Sequence, residues 1–232
     1  MNICGLQKLA MVDYPGKLAC TVFTGGCNLR CPFCHNALLV TRLDETPRLE
    51  NSEVMAFLES RKKLLDGVVL SGGEPLLQPD AADFLQAVRA MGFSVKLDTN
   101  GCYPAALARI LEAGLVDYVA MDIKNTPEKY PLTVGVPSFD IAPILESIHL
   151  LQTCGVEYEF RTTLVRELHT PEDVLAIGAW LQRTPRYALQ KFVDSGELIC
   201  CDRFHGFSDE EMKALAEAVR PCFGTLMLRG VD

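Results

Sequence analysis

The chain has 232 residues, and 49% of them are hydrophobic, which is enough for a sizeable core. Its net charge of −8 argues against nucleic-acid binding, because contact with a phosphate backbone needs a basic patch. No apolar run approaches the roughly 18 residues of a membrane span, and the first residues do not form a signal peptide. We therefore expect one domain over residues 1–232, in the cytoplasm, with neither nucleic acid nor membrane as a partner. The ten cysteines would be reduced there and available for metal binding or catalysis.

Short apolar runs recur along the chain, and each is followed by a segment with helical periodicity. The runs are rich in β-branched residues or apolar on both alternating faces, which is typical of strands buried on both sides of a parallel sheet. They predict strands at 19–24, 67–72, 93–98, 116–122, 157–165 and 187–193. A last run at 225–230 is a candidate edge strand.

The segments between these runs carry helix start and stop signals, such as Ser208 before the last one and Gly92 after the second. They predict helices at 53–65, 81–92, 105–114, 139–155, 172–183 and 209–219. Six strand-helix units with right-handed crossovers make an α/β protein. Six units are too few for a closed eight-fold barrel, so the prediction is a partial, open (β/α)6 barrel. The proline-containing stretch 125–138 is predicted to be a surface loop.

The chemically unusual residues lie where the predicted strands end. In α/β folds the carboxyl ends of the strands carry the active site, so these residues should converge on one mouth. The segments are the cysteine loop 27–34, "SGGEP" 71–75, "LDTNG" 97–101, "MDIK" 121–124 and Arg161 within the fifth strand.

The cysteine loop has the spacing Cys27-x3-Cys31-x2-Cys34, and no fourth cysteine follows at a ligand-like interval. Structural zinc takes four ligands, and only the adjacent His35 is at hand as a fourth. A redox dithiol at "CPFC" would leave Cys27 without a role, and a purely structural cluster of thiols suits a glycine-led loop poorly. A 4Fe-4S cluster on three cysteines leaves one iron open to a small molecule, which explains the missing ligand.

At these residues the sequence resembles the radical S-adenosylmethionine (radical SAM) superfamily. Within it the chain resembles glycyl-radical-enzyme activating proteins of the pyruvate formate-lyase activating type, and most of all the anaerobic ribonucleoside-triphosphate reductase activating proteins. The resemblance covers roughly residues 3 to 195 and departs from the family at "TTLVRE" (162–167). Its motifs are "DYPG" 13–16, "CHN" 34–36, "GGEP" 72–75, "DTNG" 98–101, "MDIK" 121–124 and "EFRTT" 159–163.

The resemblance implies the radical SAM fold and a radical SAM oxidoreductase. A reduced 4Fe-4S cluster would cleave S-adenosylmethionine, and the resulting 5′-deoxyadenosyl radical would take a hydrogen atom from a glycine of a partner glycyl radical enzyme. The partner implied is anaerobic ribonucleoside-triphosphate reductase, and the electron donor is a low-potential protein such as flavodoxin or ferredoxin. The alternatives are an activase of another glycyl radical enzyme of the pyruvate formate-lyase type, or a radical SAM enzyme acting on a small molecule.

The resemblance also implies residue roles. Cys27, Cys31 and Cys34 would bind the cluster. Glu74 would accept from the methionine amine, and Lys124 and Arg161 would supply positive charge for the carboxylate. The full set implied for S-adenosylmethionine is Phe33, Gly72, Gly73, Glu74, Asp98, Thr99, Asn100, Lys124 and Arg161.

Several residues keep more than one interpretation. Asp98 and Asp122 would share a monovalent cation, although the charged residues of this set also suit ordinary salt bridges and Asn100 a simple turn. Near the end of the chain Cys200, Cys201 and Cys222 are either a second metal site or idle thiols. Three histidines stay unassigned: His149, His169 and His205.

Overall fold

The computed structural model describes residues 1–182, 184–194, 196–200 and 204–231. In this part of the chain, eight strands form one sheet and follow each other in chain order. The strands are β1 (Ile3–Ala10), β2 (Ala19–Thr24), β3 (Gly67–Gly72), β4 (Ser94–Thr99), β5 (Tyr118–Asp122), β6 (Glu157–Leu164), β7 (Arg186–Lys191) and β8 (Thr225–Arg229). β2 pairs in parallel with β3, β3 with β4, β6 with β7 and β7 with β8, whereas β1 is antiparallel to β2. The predicted fold class, an open α/β fold, agrees with this mostly parallel sheet, which has two strands more than the six predicted strand-helix units.

The helices connect the strands and begin at recognisable caps. Thr170 and Ser208 each form a reciprocal capping box with the residue three positions on, which satisfies backbone N–H groups that the first turn leaves unpaired. The helices are α1 (Ala37–Thr41), α2 (Asn51–Arg61), α3 (Ala81–Ala90), α4 (Pro104–Glu112), α5 (Tyr130–Thr133), α6 (Ala142–Thr153), α7 (Pro171–Trp180) and α8 (Asp209–Val219).

The segment 125–138 differs from its predicted surface loop. It contains a turn of 3-10 helix at Pro127–Lys129 and the short helix α5. Tyr130 is fully buried and stacks on Phe139, with ring centroids 5.3 Å apart. Further along, the Val134 carbonyl accepts a hydrogen bond of 2.9 Å from the backbone N–H of Arg30, within the cysteine loop. This segment therefore packs against the cysteine loop instead of lying out in solvent.

The chain divides into two compact units, and each is described separately below. The first is made of Met1–Asn28, Leu38–Ala120 and Pro143–Glu157, and the second of Leu29–Ala37, Met121–Ala142 and Tyr158–Asp232. A single domain over 1–232 stays a prediction. None of the helices in the described ranges is both long and apolar enough to cross a membrane.

In the first unit, the turn "DYPG" supplies part of the core. Tyr14 is buried with Ala19, Val69, Tyr118 and Ala120. Its hydroxyl also lies 3.4 Å from the Val95 carbonyl, as donor. Because Ala19, Val69 and Ala120 lie on three different strands, this turn packs against one face of the sheet.

Candidate cofactor site

The cysteine loop starts directly after β2, and the division of the chain runs through it. Cys27 belongs to the first unit, whereas Cys31 and Cys34 belong to the second. The surroundings of Cys27 are therefore built from the ends of β2, β3 and β4. Those of Cys31 and Cys34 are built from residues at the end of β5 and just after it, on β6 and just after β7.

Two glycines at the end of β3 allow its backbone to approach the start of the cysteine loop. Gly72 has φ +122°, and a Cβ on it would lie 2.3 Å from the backbone N and O of Thr24. A Cβ on Gly73 would lie 2.1 Å from the carbonyl oxygen of Gly26. The contact is closed by two backbone hydrogen bonds, Gly73 N–H to Thr24 O at 2.9 Å and Glu74 N–H to Gly26 O at 2.8 Å. The glycines predicted to approach the cofactor thus also approach the chain's own backbone, where only glycine fits.

The carboxylate of Glu74 is fully buried and accepts three hydrogen bonds from the chain itself. Oε1 accepts from the backbone N–H of Leu76 at 3.0 Å and from the Thr99 hydroxyl at 2.8 Å. Oε2 accepts from the backbone N–H of Asn100 at 2.7 Å. Glu74 therefore ties the loop after β3 to the loop after β4, in addition to any contact with a cofactor amine.

Asn100 brings its side chain to Cys27. Its Nδ2 lies 3.6 Å from the Sγ of Cys27 and 2.9 Å from the Oδ1 of Asn28. Its own Oδ1 accepts from the backbone N–H of Cys102 at 2.9 Å. Asn100 is buried, so both the nitrogen and the oxygen of its side-chain amide are in contact with other parts of the protein.

Asp98 is paired with a lysine that the sequence analysis did not single out. Lys96 is buried and its Nζ lies 3.0 Å from Oδ1 of Asp98, while the Ser71 hydroxyl donates to Oδ2 at 3.1 Å. The same ammonium donates to the backbone carbonyl of Asp13, whose carboxylate accepts from Thr21 at 2.6 Å. The available signal was a lysine within a predicted buried strand, two positions before Asp98 and so on the same face.

In the second unit, Asp122 lies between two cations. Its Oδ1 accepts from Nε of Arg161 at 2.7 Å, and its Oδ2 from Nζ of Lys124 at 2.9 Å. Burial alone would raise the pKa of Asp122, but Arg161 and Lys124 hold it well below its ordinary value. The three predicted residues therefore form one ion-pair group, with one negative and two positive charges.

Lys124 also acts on the two cysteines of this unit. Burial would lower its pKa, but Asp122 raises it, as do Cys31 and Cys34 in their thiolate forms, so the ammonium stays charged. In return, Lys124 and a backbone N–H of Asn36 oppose the burial that raises the pKa of Cys34. A fixed positive charge beside thiolates suits metal ligation, because the thiolate is the ligating form.

The second half of the cysteine loop is held by an aromatic residue just after β7. Phe192 is buried, and the ring of His35 stacks on it with centroids 5.1 Å apart. Phe33 meets the same ring edge-on at 6.3 Å. Burial lowers the pKa of His35, so its imidazole is neutral at pH 7. Phe33, predicted to bind the cofactor, is buried and takes part in fixing the loop.

The described part of the chain gives no metal-ligand group that decides between the predicted metal sites. Within the described ranges, no three His, Cys, Asp or Glu side chains are grouped to hold a single metal ion, and this applies to Cys27, Cys31 and Cys34 as well as to a zinc set. The three-cysteine cluster stays a prediction. Cys200 donates its backbone N–H to Pro32 at 3.1 Å, Cys222 lies beside Gly178, and Cys201 lies outside the described residues. A monovalent cation fits poorly, because Asp98 and Asp122 are each neutralised by the chain's own lysine or arginine.

Comparison with known proteins decides the family. Residues 21–180 match the Radical SAM superfamily. The chain belongs to this superfamily. Membership implies a 4Fe-4S cluster and S-adenosylmethionine as cofactors.

Two relatives match most of this radical SAM chain. A protein of Methanocaldococcus jannaschii named as a glycyl-radical enzyme activating enzyme is 34% identical over 194 residues, which cover 82% of this chain and 79% of that protein. The pyruvate formate-lyase-activating enzyme of Listeria monocytogenes is 30% identical over 197 residues, covering 79% of this chain and 77% of its own.

A solved structure supports the fold. SuiB of Streptococcus suis, determined with bound S-adenosylmethionine, superposes with a TM-score of 0.69 over 88% of this radical SAM chain at 15% sequence identity. The chain spans only 48% of SuiB, about half its length, so the likeness concerns the shared fold alone.

Proposed function

We propose that this radical SAM enzyme activates a glycyl radical enzyme, and that its partner is anaerobic ribonucleoside-triphosphate reductase. The observation that carries the proposal is the identity of 34% and 30% to two relatives named as activating enzymes, over about four fifths of the chain. The choice of partner rests on the motifs of the sequence. The substrate would be a backbone glycine of that partner.

In this proposal, Cys27, Cys31 and Cys34 would bind the cluster through their thiolates. When bound, the cluster and S-adenosylmethionine supply a 5′-deoxyadenosyl radical that takes a hydrogen atom from the substrate glycine. The chain would bind the cofactor, exclude water from it and bind the partner's loop. A low-potential donor such as flavodoxin or ferredoxin supplies the electron.

In the proposed binding of S-adenosylmethionine, Lys124 and Arg161 face the amino-acid carboxylate of the cofactor. The ammonium and the guanidinium are both held by Asp122, and such cations form charge-assisted hydrogen bonds with a carboxylate. Asp122 fixes both cations, so that they are oriented before the cofactor arrives. The other residues of the proposed set are Phe33, Gly72, Gly73, Glu74, Asp98 and Thr99. Asn100, also predicted for this set, has both side-chain N–H groups bound within the chain.

The monovalent cation predicted at Asp98 and Asp122 is left out of the proposal. Lys96 already neutralises Asp98, and Lys124 with Arg161 already neutralises Asp122. A hard cation prefers oxygen ligands with unbalanced negative charge, and neither carboxylate has one. Turnover in sodium-rich, potassium-rich and organic-cation buffers should therefore agree; a large gain with either metal ion would restore the cation.

The test is activation of the candidate partner under anaerobic conditions. Reconstituted protein, a reductant, S-adenosylmethionine and the reductase should together give a glycine-centred doublet by electron paramagnetic resonance. Replacing the partner's glycine by alanine should remove the doublet. A Cys31→Ala variant should give no doublet, while the matched Cys154→Ala variant, changed outside the cysteine loop, should give the wild-type signal.

Two other outcomes would replace the proposal. A doublet on pyruvate formate-lyase, with none on the reductase, would make the protein an activase of that class. Rapid formation of 5′-deoxyadenosine with a small metabolite, with no radical on either protein, would make it a small-molecule enzyme.

A further inference from the structure

We infer that Asn100 is a positioning residue for the cluster: its side-chain amide donates to the Cys27 thiolate, which fixes this ligand and raises the reduction potential of the cluster. The inference rests on the proposed function in one respect, since Cys27 is taken as a cluster ligand. It gives Asn100 a different role from the predicted contact with S-adenosylmethionine.

The geometry is that of a hydrogen bond to sulfur. Nδ2 of Asn100 lies 3.6 Å from Sγ of Cys27. Sulfur acceptors form longer hydrogen bonds than oxygen because the atom is larger. Hydrogen bonds to cluster sulfurs are among the means by which proteins set cluster potentials.

The orientation of the amide follows from its other partners. The oxygen accepts from a backbone N–H, that of Cys102, at 2.9 Å. The nitrogen lies 2.9 Å from Oδ1 of Asn28. A flipped amide would place an NH2 group against the Cys102 N–H, so the nitrogen must face Cys27.

Both N–H groups of the side chain are thereby used inside the protein. One points to Asn28 and the other to Cys27. An amide nitrogen has two hydrogens, so Asn100 keeps no side-chain donor for a bound cofactor. The side chain therefore serves the loop that holds the cluster.

Glu74 holds both Asn100, the hydrogen-bond donor, and the backbone next to Cys27, the acceptor. Glu74 accepts from the backbone N–H of Asn100 at 2.7 Å through its carboxylate. Its own backbone N–H donates to Gly26 O at 2.8 Å, one residue before Cys27. The buried residue Glu74 thus fixes the distance between the Asn100 amide and the Cys27 sulfur.

The effect on the cluster follows from charge. Reduction adds one negative charge to the cluster and its thiolates, so an N–H that points at a thiolate stabilises the reduced state more than the oxidised state. Loss of this donor should lower the reduction potential. A carboxylate at the same place should lower it further.

The experiment is a redox titration of the reconstituted cluster, without S-adenosylmethionine, followed by electron paramagnetic resonance. Asn100→Leu should shift the midpoint potential downward, and Asn100→Asp should shift it further down. Asn125→Leu is the matched control: this buried asparagine also makes three internal hydrogen bonds, but to Thr133, Leu168 and Thr126 in the second unit. Its potential should equal that of the wild type.

An unchanged potential in Asn100→Leu, with about four irons bound per chain, would overturn the inference and leave the activating function intact. Failure of the wild-type protein to bind a cluster would instead overturn the proposed function. If the Asn100 variants do not hold a cluster, the test uses the Asn28→Ala protein with ¹⁵N only in the asparagine side-chain amide, which leaves the Asn36 backbone N–H beside Cys34 unlabelled. Pulsed electron-nuclear double resonance of its reduced cluster should show a weak ¹⁵N coupling, and the absence of this coupling would refute the hydrogen bond.

Discussion

Glu74 is the residue that connects most parts of the candidate site. Its buried carboxylate holds the turn after β4 through Thr99 and Asn100, and its backbone N–H holds Gly26 at the start of the cysteine loop. A buried carboxylate is tolerated only where donors satisfy it, and three donors surround this one. The residue is therefore part of the fold before any cofactor is bound.

Glu74→Gln should consequently destabilise the protein in the absence of cluster and cofactor. The variant turns an NH2 group toward N–H or O–H donors, and leaving such donors unsatisfied costs about 1–3 kcal/mol. Urea unfolding of the apo protein measures this loss. Glu112→Gln, at an exposed position at the end of α4, should leave the free energy of unfolding unchanged. Wild-type stability combined with lost S-adenosylmethionine affinity in Glu74→Gln would show that the residue serves only the cofactor.

The residue types of the candidate site could be predicted from the sequence, whereas most of the contacts between these residues could not. The spacing of Cys27, Cys31 and Cys34, the glycines of "GGEP" and the charges of "MDIK" stand out in the sequence. Lys96 pairs with Asp98 because both side chains lie on one face of β4, and their spacing of two residues was visible in the sequence. The contact of Asn100 with Cys27 depends on how two loops meet, and no local pattern encodes that.

Among the elements, the buried parallel strands were predicted within two residues at each end, because strands buried on both faces read as apolar runs. β1 was missed for a physical reason. It is an edge strand, exposes three consecutive residues at 7–9 and pairs with β2 through two register shifts, so it lacks period-two alternation. The helix α5 was missed because prolines at 127 and 131 indicated a loop, although proline also suits a first helical turn.

A histidine that the sequence left unassigned links two strand ends in the second unit. Nε2 of His169 lies 2.8 Å from the carbonyl of Lys124, and its Nδ1 lies 3.1 Å from the backbone N–H of Val165. The carbonyl can only accept, so Nε2 donates and Nδ1 accepts, which defines a neutral tautomer. The histidine thereby helps to place Lys124 beside Asp122 and the cysteines.

The pH dependence of stability should report this contact. Burial lowers the pKa of His169, and this is opposed by the hydrogen bonds that the protonated ring would donate to the Lys124 and Val165 carbonyls. The unfolded state then binds more protons as the pH falls below about 6.5, so folding stability declines through the folded-state pKa, by at most about 1.4 kcal/mol per pH unit for one histidine. Urea unfolding between pH 8 and pH 5 should show this decline in the wild type.

His169→Gln is the matching variant, because the glutamine amide can donate to the Lys124 carbonyl without titrating. Its stability should fall less steeply with acid than that of the wild type. His35 also has a lowered pKa and contributes equally to both proteins, so the difference between them isolates His169. Equal slopes would contradict a buried neutral His169.

At the scale of the whole molecule, the sequence supports a family and leaves the partner open. Motifs at successive strand ends, from the cysteine loop to "EFRTT", identify the superfamily that residues 21–180 match. The choice of partner rests only on the resemblance of these motifs to those of activating proteins, because the surface that contacts another protein does not form a local sequence motif. The net charge of −8 favours partners other than nucleic acid without selecting one of them.

The activating function has a consequence for how the partner is recognised. A glycine in a folded enzyme is reached only when its loop leaves the parent structure, and the apparent affinity falls in proportion to the small fraction of open partner. A short synthetic peptide with the sequence of that loop avoids this cost. It should therefore support formation of 5′-deoxyadenosine at a concentration lower than the intact partner requires, measured by chromatography under single-turnover conditions. The same peptide with its glycine replaced by alanine gives the background rate.

Partner variants whose loop is destabilised should be activated faster than the wild-type partner. Should the intact partner acquire its radical while the peptide stays inert at every concentration, recognition must depend on folded partner surfaces and not on the extruded loop.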